Sequence, residues 1–206
     1  MTRIFFAKSA AAFAVLAMIS VVPTFAQQPA STGSAPQIAA QPNTALALGK
    51  LELTMSQADP NSKEFGMAVA DYWKLIVENN DGSRVYNFFR TLSAERKEPN
   101  ATLLAMRASA ECYYLGWLAQ SNLMETFGRP RVAEIGAQAR ADFEQALKLD
   151  AENFSALYGY AVYEGYRPGA QAHQKELLAR LDALRASRPY YPWKLVDTLE
   201  KTGKPD

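Results

Sequence analysis

The strongest constraint on the fold is an apolar stripe between Arg131 and Asp150. Its small and apolar residues follow one another in steps of one, three and four: Val132, Ile135, Gly136, Ala139, Phe143, Ala146 and Leu147. Because an α-helix has 3.6 residues per turn, these steps place the whole set on one face. Pro130 suits the first turn of a helix, where its missing N–H is not needed. We therefore predict a helix from Arg131 to Asp150 that starts just after Pro130.

The residues after Asp150 predict a second helix that pairs with this one. Asp150 to Asn153 form a short polar segment typical of a turn, and a new apolar run begins at Phe154. Two helices joined by so short a connection pack as an antiparallel hairpin. We predict that Arg131–Asp150 and Phe154–Tyr166 are neighbours in a stack of antiparallel hairpins, and that the fold is all-α.

This helix pair resembles the tetratricopeptide repeat (TPR). Three short features carry the similarity: Ala139, Phe143 and Ala146 with the spacing of a second repeat helix, Leu115-Gly116 as in a first helix, and Ala156-Leu157 with Tyr160-Ala161 as in the next first helix. Three features depart from the repeat: Ala151 replaces the usual proline, Cys112 stands where an aromatic residue is common, and Gly116 lies too far from Ala139 for a standard repeat. The resemblance implies an α-solenoid or compact array of TPR-like hairpins that binds other proteins. Generic helical hairpins are the alternative, since they would show the same stripe.

The first 26 residues have the composition of an export signal. Arg3 and Lys8 precede an apolar run from Ala10 to Val22, and Thr24-Phe25-Ala26 is typical of a signal cleavage site. The apolar run is shorter than the roughly 20 residues that a membrane-spanning helix needs. We predict a signal peptide over residues 1–26, a periplasmic or secreted mature protein, and no stable membrane insertion after cleavage. An uncleaved membrane anchor is the alternative.

Residues 27–43 predict a flexible linker, and residues 44–203 predict a single helical domain. The linker is rich in Gln, Pro, Ala, Ser and Gly, so it buries too little apolar area to offset the entropy of ordering. Beyond it, helical spacing recurs between turn residues, and Ser62 and Asn100 are suited to cap helices. The predicted helices are Thr44–Ala58, Lys63–Asn79, one around Val85 to Leu92, Asn100–Phe127, Arg131–Asp150, Phe154–Tyr166, Ala170–Ser187 and one from Trp193.

Small residues in the middle of the predicted Asn100–Phe127 helix indicate a close helix crossing. They are Ala108, Cys112, Gly116 and Ala119. We place the crossing at Gly116. Cys112 is the only cysteine, so it cannot form an intramolecular disulfide, and its small neighbours predict that it is buried.

The sequence contains no catalytic, cofactor-binding or metal-binding signature. His173 is the only histidine and is predicted to lie on the surface, whereas zinc sites need clusters of Cys and His. The net charge of +1 becomes −1 when the signal is removed (20 basic minus 21 acidic residues), which gives no global field for nucleic acid. We predict a protein without enzymatic activity, cofactor, metal or nucleic-acid partner. A hydrolase with two buried carboxyl groups facing each other, one with a raised pKa, stays open as a third hypothesis.

Aromatic residues are dense in two predicted helices. Tyr113, Tyr114 and Trp117 fall within about one turn, and tyrosines surround the Phe154–Tyr166 helix. A single apolar stripe hides one face only, so the rings either pack between helices or line a concave groove.

We expect the first helices of the stack to present the partner-binding side chains. The candidates are Tyr114, Trp117, Leu157 and Tyr160 for contact and Arg107, Glu111 and Glu164 for polarity. The predicted function is a protein- or peptide-binding module of the cell envelope. The alternative is a small-ligand-binding accessory protein of an uptake or envelope system, in which the rings would surround an enclosed pocket.

Overall fold

The computed structural model of the protein describes residues 42–121 and 124–203. These residues form helices without any strand, which confirms the predicted all-α fold. The helices are α1 (Pro42–Gln57), α2 (Lys63–Asn79), α3 (Gly82–Glu95), α4 (Ala101–Gln120), α5 (Met124–Leu149), α6 (Phe154–Gly165), α7 (Gln171–Leu184) and α8 (Trp193–Thr202). None of these eight helices is long and apolar enough to cross a membrane. The predicted signal peptide and nearly all of the predicted linker lie outside the described residues.

Local capping signals fix two helix ends where the sequence predicts them. The Ser62 hydroxyl accepts a hydrogen bond from the backbone N–H of Phe65 at 3.1 Å, at the start of α2. The Asn100 side-chain oxygen accepts one from the N–H of Leu103 at 3.0 Å, at the start of α4. Each cap satisfies one of the N–H groups that a first helical turn leaves without a partner.

The helices between residues 101 and 149 differ from the prediction. The predicted helix from Asn100 to Phe127 is divided, because α4 ends at Gln120 and α5 already begins at Met124. Pro130 therefore lies inside α5 and not in its first turn. An interior proline removes one backbone hydrogen bond, and the extensive packing of α5 against α4 offsets this loss.

Helix α4 is the centre of the fold and packs against α3, α5 and α6. Its buried residues occur in consecutive runs and not on a single stripe: Leu103, Leu104, Ala105, Met106, Ala108, Ser109, Ala110, Glu111, Cys112, Tyr113, Tyr114 and Leu118. A helix buried on all sides is an interior helix. The predicted burial of Cys112 is confirmed.

Two main hydrophobic cores share α4. The first is formed by α1 to α4 and contains the fully buried rings of Tyr72 and Trp73. The second is formed by α4 to α8 and contains Phe143, Tyr158 and Tyr160. Neighbouring helices pack in sequence, with α1 on α2, α3 on α4, α4 on α5, and α6 on α7. The chain is therefore an array of packed helical hairpins.

A glycine of α6 allows a close approach between helices in the second core. A Cβ atom on Gly159 would lie 2.8 Å from Cε1 of Phe143 on α5 and 3.2 Å from the hydroxyl of Ser109 on α4. The crossing that the sequence predicts at Gly116, which is half-buried on α4, stays a prediction. The three helices meet tightly at Gly159 because it carries no side chain.

Candidate functional site

A groove with a volume of about 570 Å³ lies between α5, α6 and α7. Side chains of α5 and α7 form its walls, and buried side chains of α6 form its floor. The loop from Arg167 to Ala170 closes one end. This volume is within the range of ligand-binding sites, about 300–1,000 Å³.

Helical periodicity explains how α5 contributes one wall. Arg140, Glu144, Leu147 and Lys148 line the groove, and their steps of four, three and one place them along one side of the helix. Ala139, Phe143 and Ala146 lie beside them and are fully buried against the neighbouring helices. The same turns of α5 thus supply both core and groove residues.

A hydrogen-bonded network around Tyr160 joins the floor to the α5 wall. The Tyr160 hydroxyl donates to Glu144 at 3.0 Å and accepts a hydrogen bond from Arg140 at 3.1 Å. Arg140 also pairs with Glu144 at 2.9 Å. Burial raises the pKa of Tyr160, so its hydroxyl stays protonated at neutral pH. The ring is stacked on Phe143 with centroids 5.4 Å apart.

A second network holds the buried carboxylate of Glu164. This side chain is inaccessible to solvent, and the Arg167 guanidinium donates to both of its oxygens at 2.7 Å. The Nδ1 atom of His173 lies 3.1 Å from one of the same oxygens. His173 also contacts the Tyr160 ring edge-on, with centroids 4.8 Å apart. A buried carboxylate needs such partners, because its desolvation is otherwise costly. His173 itself is partly exposed at the groove, and its hydrogen bond to Glu164 holds its position.

The groove is open to solvent and carries excess positive charge. Its polar walls remain substantially exposed, with 47% exposure for Arg140, 44% for Glu144 and 38% for Arg167. The charged lining consists of four permanent cations against two carboxylates: Arg140, Lys148, Arg167 and Arg180 against Glu144 and Glu164. With His173 neutral, the excess is two positive charges.

A smaller cavity of about 270 Å³ lies beside α4 and α5. Arg107 and Asp142 line it, and the Arg107 guanidinium donates to both oxygens of Asp142. Arg107 also donates to the hydroxyl of Ser93 at 3.0 Å, and Gln138 donates to Asp142 at 2.8 Å. Asp142 is 3% exposed. This ion pair joins the two helices, and its hydrogen-bonding groups are used within the protein.

Glu111 is a buried acid close to this ion pair. It is 4% exposed, and one of its carboxyl oxygens has no hydrogen-bond partner among the described residues. Burial, with a contribution from the charge of Asp142, raises the pKa of Glu111 to about 8, although Arg107 and Arg90 oppose this change. Glu111 is therefore mostly protonated at neutral pH.

Glu111 and Asp142 meet two conditions of the carboxylate-pair hypothesis, namely burial and one raised pKa. Asp142 is paired with Arg107, and Glu111 lines neither of the two cavities described above. Neither cavity therefore has both carboxyl groups in its lining, and the hydrolase hypothesis stays a prediction.

The structure separates the predicted partner-binding residues into different sites. Tyr160 and Glu164 line the groove, as floor residues. Arg107 and Glu111 belong to the polar cluster between α4 and α5. Leu157 is 1% exposed and lies in the second core.

The remaining two candidates, Tyr114 and Trp117, belong to an aromatic stack. The Tyr114 ring stacks on Tyr86 of α3 with centroids 4.4 Å apart, and on Trp117 at 5.7 Å. Tyr114 is buried, and Trp117 is half-buried beneath the start of α3, where it contacts Gly82. Most of the aromatic residues of these two dense regions therefore pack between helices. This is the first of the two arrangements expected from the sequence, the second being a concave groove lined by the rings.

Sequence reasoning missed the basic residues of the groove. Arg140, Lys148 and Arg180 lie on the polar sides of α5 and α7, where single charges are common and carry no special pattern. Only the packing of α5 and α7 on the two sides of α6 brings them to one groove. No local signal in the chain distinguishes them from other exposed basic residues.

The described residues contain no group of three or more His, Cys, Asp and Glu side chains arranged to hold a metal ion. Cys112 is buried, and desolvation raises the pKa of its thiol well above the usual value. A protonated, inaccessible thiol is a poor nucleophile. Cys112 acts as a small core residue between α4 and its neighbours.

Comparison of the chain with protein-family models, with curated proteins and with solved structures gives no match. The resemblance to TPR proteins therefore depends on the sequence features given above and on the packed helical hairpins.

Proposed function

We propose that the protein is a non-catalytic interaction module of the cell envelope that binds a partner protein through the groove between α5, α6 and α7. The observation that carries the proposal is the open, charged groove of about 570 Å³ on a rigid array of helices. Binding surfaces built on packed helices keep their shape, which lowers the entropy cost of association.

A TPR-like arrangement fits this proposal. The α4–α5 and α6–α7 hairpins pack through α4 on α6 and α5 on α6, as stacked helical repeats do. The groove lies between the two second helices, α5 and α7, with α6 beneath them. The partner would therefore lie mainly against the second helices α5 and α7, with the first helix α6 as the floor beneath it.

The polar groups of the groove are arranged for recognition. The exposed side chains of Arg140, Glu144 and Arg167 are each held by hydrogen bonds within the protein, so their positions are set before a partner binds. Preorganised polar groups at an exposed surface provide specificity and orientation. The small-ligand alternative requires an enclosed pocket, and the exposure of Arg140, Glu144 and Arg167 favours a larger partner.

The predicted export signal at residues 1–26 supports a place in the periplasm or outside the cell. The uncharged, Pro-containing segment 27–43 would act as a tether in front of the helical domain. These two features make an envelope protein the expected partner.

Site-specific photo-cross-linking in cells that produce the full-length chain tests this function. A photoreactive amino acid replaces Ala170 or Pro168, which line the groove, or Met67, which is exposed on α2 away from it. We expect both groove positions to give an adduct with the same envelope protein, which mass spectrometry identifies, and Met67 to give none.

The identified protein is then purified, and its affinity for the wild-type chain is measured directly. Equal adducts from Met67 and the groove positions, or the absence of protein adducts, would contradict a partner-binding groove.

A further inference from the structure

We infer that the groove selects an acidic, extended segment of its partner, with Lys148 and Arg180 as the side chains that pair with the segment's carboxylates. This inference rests on the proposed function and names the chemistry of the partner. It starts from the charge imbalance of the groove, where four cations meet two carboxylates.

The two carboxylates are already paired. Glu144 accepts hydrogen bonds from Arg140 and Tyr160, and Glu164 accepts them from Arg167. These pairs neutralise Arg140 and Arg167. The excess charge of the groove therefore belongs to Lys148 and Arg180.

Lys148 and Arg180 lie on opposite walls, on α5 and α7 respectively. Neither forms an ion pair within 4 Å with a carboxylate of the described residues. Arg180 donates one N–H to the backbone oxygen of Ala151 at 2.9 Å. The guanidinium has further N–H donors that can bind a partner's carboxylate. An acidic segment lying between the walls would contact a cation on each side.

The amino-terminal turn of α7 adds to the positive field at the end of the groove. Ala170 is the N-cap residue and makes no side-chain capping hydrogen bond, and both Ala170 and His173 line the groove. The first N–H groups of a helix carry partial positive charge and lack partners within the helix. They supplement the charge of Lys148 and Arg180, which carry the inference.

The dimensions of the groove suit an extended segment of a few residues. Its α7 wall runs from Ala170 to Arg180, which at 1.5 Å per residue is about 15 Å. Extended chain covers about 3.3 Å per residue, so about four to five residues fit along this wall. The protein's own segment 27–43 has no charged residue and lacks the required chemistry. An acidic segment of another protein is the occupant that fits both charge and length.

Fluorescence anisotropy with synthetic peptides tests the inference on the purified protein. The probes are a labelled, Glu-rich peptide and the same peptide with Gln at every Glu position. We expect the Glu peptide to bind at least about tenfold more tightly at about 50 mM salt, and this preference to shrink at about 300 mM salt. Equal binding of both peptides would contradict the preference for an acidic segment. It would not contradict the proposal that the groove binds a partner protein.

A pair of charge-reversal variants locates the binding site. Lys148→Glu/Arg180→Glu should weaken binding of the Glu peptide by about tenfold or more, because two attractive contacts become repulsive. The control variant Lys175→Glu/Lys194→Glu changes the net charge by the same amount, at exposed positions outside the groove lining. It should weaken binding of the Glu peptide by less than about twofold. Circular dichroism and thermal unfolding establish that both variants are folded.

Other outcomes identify other occupants. Equal losses in the two double variants would mean that the peptide responds to net charge alone, which overturns the assignment to the groove. Free glutamate that displaces the peptide at the peptide's own concentration would indicate a small-anion site and would contradict an extended partner segment.

The partner protein that photo-cross-linking identifies gives an independent check of this inference. If its cross-linked segment is acidic and Lys148→Glu/Arg180→Glu weakens its binding, both proposals stand. If its segment is neutral or basic and binding survives the double variant, the interaction function stands and the acidic selection fails.

Discussion

The buried acid Glu111 should make the stability of this protein depend on pH in a defined direction. The folded protein raises the pKa of Glu111 from its ordinary value near 4.5 to about 8, through burial and the charge of Asp142. Between pH 4.5 and pH 8 the folded state keeps the proton that the unfolded chain releases. The free energy of unfolding contributed by this group therefore falls as pH rises across the interval.

The structure also gives the magnitude. Each pH unit within the interval changes the free energy of unfolding by about 1.4 kcal/mol, so 3.5 units correspond to about 5 kcal/mol. The stabilisation that Glu111 contributes is fully present below pH 4.5 and is lost by about pH 8. Above about pH 8, Glu111 is ionised in the folded state as well as in the unfolded chain. Glu111→Gln removes the titration while preserving the shape of the protonated acid. The variant should gain stability relative to wild type as pH rises.

Urea denaturation followed by far-ultraviolet circular dichroism, at constant ionic strength and at several values between pH 5 and pH 9, measures this difference. Glu176→Gln, at an exposed position of α7, is the matched control and should follow the wild-type curve. Parallel pH dependences of wild type and Glu111→Gln would refute the reasoning, because they would mean that Glu111 titrates alike in the folded and unfolded states.

Two further predictions concern packing and the buried ion pair, and urea denaturation measures both. Gly159→Ala should cost about 1–3 kcal/mol because its Cβ would collide with the buried ring of Phe143, whereas Gly49→Ala, with nothing within 4 Å, should stabilise by about 0.5–1 kcal/mol. Similar effects of the two changes would contradict the close approach. Arg107→Met should cost about 3–5 kcal/mol because it leaves Asp142 buried without its cation, and adding Asp142→Leu should restore much of this loss. A double variant no more stable than Arg107→Met would show that the unpaired charge is not the cause.

Local sequence signals predicted most helices because their causes lie within one or two turns of chain. The helix α2 begins and ends where its apolar stripe and the Ser62 cap place it. Asn100 likewise caps α4 as predicted. Periodicity and capping involve residues three or four positions apart, so they can be recognised without knowledge of the tertiary structure.

The same local signals failed where packing outweighs local preference. Pro130 is a strong signal for a helix start, but α5 begins earlier, at Met124, and packs extensively against α4. Helix α4 is buried on all sides, because other helices surround it. A helix's own sequence does not reveal how many neighbours it has.

Residue spacing and composition alone indicate that this chain is helical, where most of its helices lie, and that Cys112 is a buried core residue. The packing of the helices establishes that Arg140, Tyr160 and Arg180 line one groove and that Glu111 is a buried acid. The cause is distance along the chain. These groove residues are 20 positions apart in sequence, and they meet because α5 and α7 both pack beside α6.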